Sequence, residues 1–228
     1  MHTNRTRRLV AATAAVGAAA VAAVFLYAPL DADQGLVQKI FYLHVPMAIV
    51  TLCGFVGGGV MGFRYIRSGD RKWDLRSYVT IHVSLVFALV VLVTGSIWAR
   101  ASWGHWWVWN EPMLVSFLIV FLLYCCYQPL RFSIEDPGRQ ARYAAVFSVT
   151  AGAFVPINFM AVRLAQAYTH PRVLSATGGH MPAAMGLTFV LALVAVALLF
   201  LTLRRIEIES KQTAFELRRL RATAEAAS

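Results

Sequence analysis

The chain has 228 residues, of which 59% are hydrophobic and only 14% charged, and its mean hydropathy is +0.61. A soluble globular domain is about a quarter charged, so this composition excludes one and points to a polytopic membrane protein. The formal net charge of +10 does not indicate a nucleic-acid partner, because the basic residues lie between apolar runs, where loop charges set membrane orientation.

Six apolar runs can cross a bilayer as helices of about 20 residues: 9–28, 41–63, 78–99, 113–130, 143–165 and 183–203. Lipid offers no partner to open backbone groups, so each run is expected to be helical. The expected fold is an all-α polytopic membrane protein with six transmembrane helices. The first run follows Arg5, Arg7 and Arg8 and is rich in alanine, as a secretory leader is. Its stretch from Leu9 to Ala28 exceeds the roughly 7–15 residues of a leader core, so a retained span is expected.

The second run opens on Phe41-Tyr42-Leu43-His44-Val45-Pro46. The third passes through Val93-Thr94-Gly95-Ser96-Ile97-Trp98 into Trp103-Gly104-His105-Trp106-Trp107-Val108-Trp109. Five of the six tryptophans thus fall between positions 98 and 109, and most lie in a loop of about 100–112 between helices 3 and 4. Two uses fit such a cluster: an anchor at the membrane surface, or a flat π platform for a large planar ligand. Cys53, Cys125 and Cys126 lie inside apolar runs without metal-ligand spacing and are given no chemistry. The six-helix domain is expected to span 1–203. Residues 204–228 mix charges and read as a helical, solvated extension of the last span.

Lysine and arginine divide unevenly between the two sides of this arrangement. Seventeen lie in the N-terminus, the loops around 64–76 and 131–142, and the tail; four, Lys39, Arg100, Arg163 and Arg172, lie on the other side. The positive-inside rule puts both termini in the cytoplasm. Three loops, 29–40, 100–112 and 166–182, then face outward.

His44, His105, His170 and His180 all fall near that outer side, whereas His82 lies near the inner end of span three and His2 in the N-terminus. A single interfacial histidine is ordinarily satisfied by water or headgroups. Two histidines flanking a tryptophan-rich loop have a second use: together they can hold a metal-centred planar ring. Haem iron takes axial imidazoles from above and below, tryptophan faces can cover the porphyrin, and Arg100 or Arg163 matches its propionates. With no Cys-x-x-Cys-His in the chain, covalent attachment of haem to this protein is not expected.

The tryptophan run resembles the WWD signature of CcmC-type haem-handling proteins, the haem exporter protein C branch of the cytochrome c assembly family. The likeness continues in Phe41–Pro46, in Val93–Trp98 and in the loop Glu135-Asp136-Pro137-Gly138-Arg139-Gln140-Ala141-Arg142. The resemblance implies a protein of the cytoplasmic (inner) membrane that binds b-type haem on its outer face. It implies delivery of haem to a membrane-anchored haem chaperone for cytochrome c maturation, alongside ABC-transporter subunits and a small single-span membrane subunit. His44 takes the place of the first axial ligand. The second matches His170, in Tyr168-Thr169-His170-Pro171, with His180 as runner-up. Trp103, Trp106, Trp107 and Trp109 form the platform, with Arg100 toward the propionates. The chain departs from the signature after Trp109, where Asn110-Glu111-Pro112 stands in place of the family's Asp and the residues that follow it.

Two other readings are carried forward. One is a structural subunit of a membrane transporter complex that binds no haem. The other is a haem-dependent quinone redox enzyme, which ordinarily needs more than one histidine pair within the spans. No residue is a clear nucleophile and no acid–base pair stands out, so an enzymatic role reduces at most to a haem-lyase-like one with a partner, acting by proximity.

Overall fold

A computed structural model describes residues 4–164 and 181–225. Among them are seven α-helices: α1 Asn4–Ala22, α2 Phe41–Ser68, α3 Arg71–Trp103, α4 Pro112–Cys125, α5 Tyr127–Phe132, α6 Pro137–Leu164 and α7 Ala183–Glu225. α4 and α5 make one crossing, so six segments are long and apolar enough to span a membrane. The chain is a multi-pass, all-α membrane protein, as its composition requires.

The helices outrun the apolar stretches, and the cause is local. α3 starts at Arg71 because Asp70 caps it, accepting from the Lys72 backbone N–H at 2.9 Å. The Lys72 side chain also bonds the Asp70 carboxyl, and the two contacts hold it below the ordinary carboxylate range. At its other end α3 continues to Trp103, and Gly104 stops it in the left-handed region at φ +79°. Trp98 and Trp103 are therefore helical, and the loop ahead of α4 is shorter than the sequence indicates. α7 runs unbroken from the last apolar run to Glu225.

Alternate crossings run in opposite directions, so the bundle has two distinct ends. One holds five of the six tryptophans; the other holds Trp73 and most of the lysines and arginines. α2 is the central helix, packed on α3, α6 and α7. Small residues permit this. A Cβ on Gly59 would lie 2.8 Å from the Ser148 carbonyl oxygen and 3.2 Å from the Gly152 Cα of α6. Backbones that approach so closely gain van der Waals contact, the main cohesive force between helices in lipid. Phe55, Ile81, Tyr124 and Ala151 form the core beside that seam. Met47, Phe87, Val91 and Phe200 form another on the α7 side.

α1 sits at the periphery against α7 and ends in a wide turn over Ala23–Tyr27. Lys39 closes that end, its buried ammonium donating to the carbonyls of Ala28 at 2.6 Å and Pro29 at 3.2 Å. A cation at a helix C-terminus meets the negative end of the macrodipole.

Candidate functional site

At the tryptophan end, α2, α3, α4 and α6 surround a cavity of about 400 Å³. Its walls are mostly aliphatic and aromatic. The polar groups reaching it are few: Gln34, His44, Ser102, Ser116 and Asn158, with the indoles of Trp98, Trp103 and Trp107. This is the usual form of a ligand site, apolar with a handful of placed polar groups.

His44 closes the first turn of α2, and α3 supplies its surroundings. Nδ1 of His44 lies 3.0 Å from Thr94 Oγ1. Gly95, the next residue, leaves the space the ring occupies: a Cβ there would come within 2.8 Å of His44 Cε1. Trp98, one turn on, meets the imidazole edge-to-face with centroids 5.8 Å apart. Trp98 is itself fixed from the 28–35 loop. Its Nε1–H donates to Gln34 Oε1 at 2.8 Å, which also accepts from Ser102 Oγ at 3.4 Å. The backbone N–H groups of Asp33 and Gln34 donate to Asp31 Oδ1, which shapes that loop into a turn.

The tryptophan loop divides in two. Trp103 and Trp107 line the cavity, whereas Trp106 and Trp109 are 60% and 73% exposed. The Nε1–H of Trp107 is buried and has no hydrogen-bond partner among the described residues. A buried donor in that state is costly and calls for an acceptor. Trp107 packs edge-on against Trp109 at 6.0 Å. Asn110 is exposed, while Glu111 is fully buried at the start of α4 and precedes Pro112, a residue suited to the first helical position.

Of the residues singled out from sequence, His44, Trp103 and Trp107 come together here. Arg100 does not line the cavity; it is exposed in the last turn of α3 and bonds the Gly104 carbonyl. His105 is exposed. His170 and His180 lie outside the described residues, as does most of the 166–182 loop. His82 is at the other end, with Nδ1 2.9 Å from Glu207. Residue type alone assigns no role to Gln34, Thr94, Gly95, Ser102 or Asn158. A signal for three of them was present: Thr94, Gly95, Trp98 and Ser102 recur at three- and four-residue intervals, one face of a helix that is otherwise apolar.

Comparison with known proteins settles the relationship. The profile of the CcmC family, described as "Heme exporter protein C", matches residues 1–223. The chain belongs to the haem exporter protein C family. It is 31% identical to the heme exporter protein C of Paracoccus denitrificans over 198 residues, 86% of this chain and 80% of that one. It is 32% identical to the Bradyrhizobium diazoefficiens protein of the same name over 178 residues, 76% of this chain and 64% of that one. Against the Escherichia coli K12 protein of that name, 32% identity extends over 133 residues, 58% of this chain and 54% of the relative. Membership associates this multi-pass chain with haem handling in cytochrome c maturation.

Proposed function

We propose that this haem exporter family member binds b-type haem non-covalently at its tryptophan end, on the outer face of the cytoplasmic membrane. It then delivers the haem to a membrane-anchored haem chaperone for cytochrome c maturation. The observation that carries the reading is His44: an imidazole held on three sides, within an apolar cavity walled by Trp98, Trp103 and Trp107. The residues present fit the group. A nitrogen ligand, flat aromatic walls and the buried Trp107 N–H suit a planar iron porphyrin carrying carboxylates.

In this reading His44 and His170 would hold the haem iron, with His180 as the alternative to His170. An iron held by two histidines would suit carrying the group and not oxygen chemistry. The chain's residues orient the imidazole, stack on the ring and exclude water. Seventeen cations on one side of the spans and four on the other orient the protein with both termini in the cytoplasm. ABC-transporter subunits and a small single-span subunit complete the assembly.

The test is spectroscopic. Protein purified after haem-replete expression should show a low-spin haem spectrum, lost in His44→Ala with no loss of folded protein. The same spectrum should collapse in His170→Ala. Colourless wild-type protein that still co-purifies with transporter subunits would replace this reading with that of a structural subunit.

A further inference from the structure

Thr94 accepts at 3.0 Å from one nitrogen of His44, and its own proton is already committed. Thr94 Oγ1 lies 2.7 Å from the Val90 carbonyl oxygen and 3.2 Å from that of Val91. A carbonyl cannot donate, so a 2.7 Å contact between two oxygens requires the threonine proton between them. The same hydroxyl can then only accept from His44, which must carry its hydrogen on Nδ1. In the neutral imidazole the lone pair is then on Nε2.

We propose that Thr94 and Gly95 form a positioning device for His44: Thr94 selects the Nδ1–H tautomer and Gly95 leaves the space that fixes the ring, so that Nε2 is presented to a metal. The proposal rests on the haem-binding reading above and deepens it. Thr94 acts through His44 and does not line the cavity, whereas Gly95 lies on its wall and acts on His44 through the space it leaves. Each has a distinct part. Thr94 sets which nitrogen is protonated and, through the chain His44 N–H to Thr94 O–H to Val90 carbonyl, raises the basicity of the ligating nitrogen. Gly95 sets where the ring lies, because a methyl group 2.8 Å from Cε1 cannot coexist with the present orientation.

The acceptor is a neutral hydroxyl, not a carboxylate. A histidine backed by a carboxylate gains strong imidazolate character and a firm hold on ferric iron. One backed by a hydroxyl already spent on a backbone carbonyl gains less. Correct orientation with moderate basicity suits a site that must hold its ligand and later release it.

The experiment compares wild type, Thr94→Val, Thr94→Ser, Gly95→Ala and His44→Ala, each checked for monodispersity, by haem titration and by redox titration of the retained haem. Outer-shell partners of metal ligands are worth on the order of 10- to 100-fold in affinity, and Thr94→Val should lose that much. The retained haem should also move to a higher reduction potential, since a less basic imidazole favours ferric iron less. Thr94→Ser restores the hydroxyl and should recover both values. Gly95→Ala should lose affinity although its hydroxyl is intact. A merely structural role for Thr94 would reduce haem content without moving the potential.

Nitrogen-15 NMR of histidine-labelled, haem-free wild type, with His44→Ala to assign the signal, reads the tautomer with no Thr94 variant needed. It should show Nδ1 protonated. A dominant Nε2–H form would overturn the proposal, as would a Thr94→Val protein equal to wild type in affinity and potential. So would a Thr94→Ser protein as poor as Thr94→Val. If wild type and His44→Ala take up haem equally, the haem-binding reading itself falls. If His44→Ala alone loses haem, that reading stands and the positioning role falls.

Discussion

At the basic end of the bundle, polar side chains close on one another. Asp74 and Arg131 meet through two bonds of 2.7 Å, both side chains nearly buried, and the guanidinium also lies 4.9 Å from the Tyr78 ring centroid. His82 and Lys211 both reach Glu207. Thr6, fully buried, accepts from Arg205 and donates to Glu209, which fastens the first turn of α1 to α7. At the tryptophan end the pattern is reversed. The side chains there surround a cavity, and a buried indole N–H has no partner among the described residues. At the basic end these groups hold helices together; at the tryptophan end Lys39 and Gln34 do the same, while His44, Ser116, Asn158 and Trp107 border a space. The same bundle therefore separates cohesion from binding along its axis.

The separation predicts which property each end controls. Asp74→Asn should give the largest stability loss. It leaves Arg131 buried without its carboxylate, and breaking one side of a buried pair costs about 3–5 kcal/mol. Thermal unfolding in detergent should register this, while the haem spectrum of protein that remains folded should not change. A spectral change at unchanged melting temperature would mean that the two ends are coupled and would break the distinction. Replacing both partners together, with Asp74→Leu and Arg131→Met, should recover much of the loss, because no charge is then stranded.

Trp107→Phe sharpens the comparison from the other side. Phenylalanine keeps most of the aromatic wall and deletes the buried N–H. If that N–H serves a carboxylate of the bound ligand, its loss costs about 1.5–3 kcal/mol of binding, on the order of 10- to 100-fold in affinity. Haem titration should show the weakening. Apo-protein stability should be unchanged or slightly raised, since a costly unpaired donor has been removed. Unaltered affinity would assign the orphan N–H to a group of the protein itself.

The two ends were not equally legible in the sequence. Long apolar runs report hydrocarbon thickness directly, so six crossings could be read from hydropathy alone. Helix ends could not, because they depend on single capping residues such as Asp70 and Gly104. His44, Trp103 and Trp107 could be picked out as chemistry-bearing types near one surface. Which tryptophans face inward could not, since the loop's path follows the stop at Gly104 and the restart at Pro112. Arg100 shows the same limit: its residue type suits a propionate, yet its position in the last turn of α3 gives it a nearby backbone carbonyl. The Asp74–Arg131 pair joins residues 57 positions apart. It depends on how α3 and α5 pack, which no local pattern reports.

Trp106 and Trp109 provide the smallest expected effect and the finest version of the comparison, because they divide the tryptophan end itself. Both are largely exposed, and neither lines the cavity. Amphipathic rings in such a position are stable at the level of lipid headgroups. Trp106→Phe and Trp109→Phe should therefore leave haem affinity, spectrum and melting temperature at wild-type values. Brominated lipids in reconstituted vesicles should quench fluorescence that is present in wild type and absent from each variant. Trp109 needs the closer watch of the two, since its ring rests edge-on against Trp107 at 6.0 Å. A loss of affinity in Trp109→Phe but not in Trp106→Phe would show that the platform extends through that contact. Equal losses in both would return the exposed rings to the binding surface and erase the boundary between membrane anchor and ligand wall.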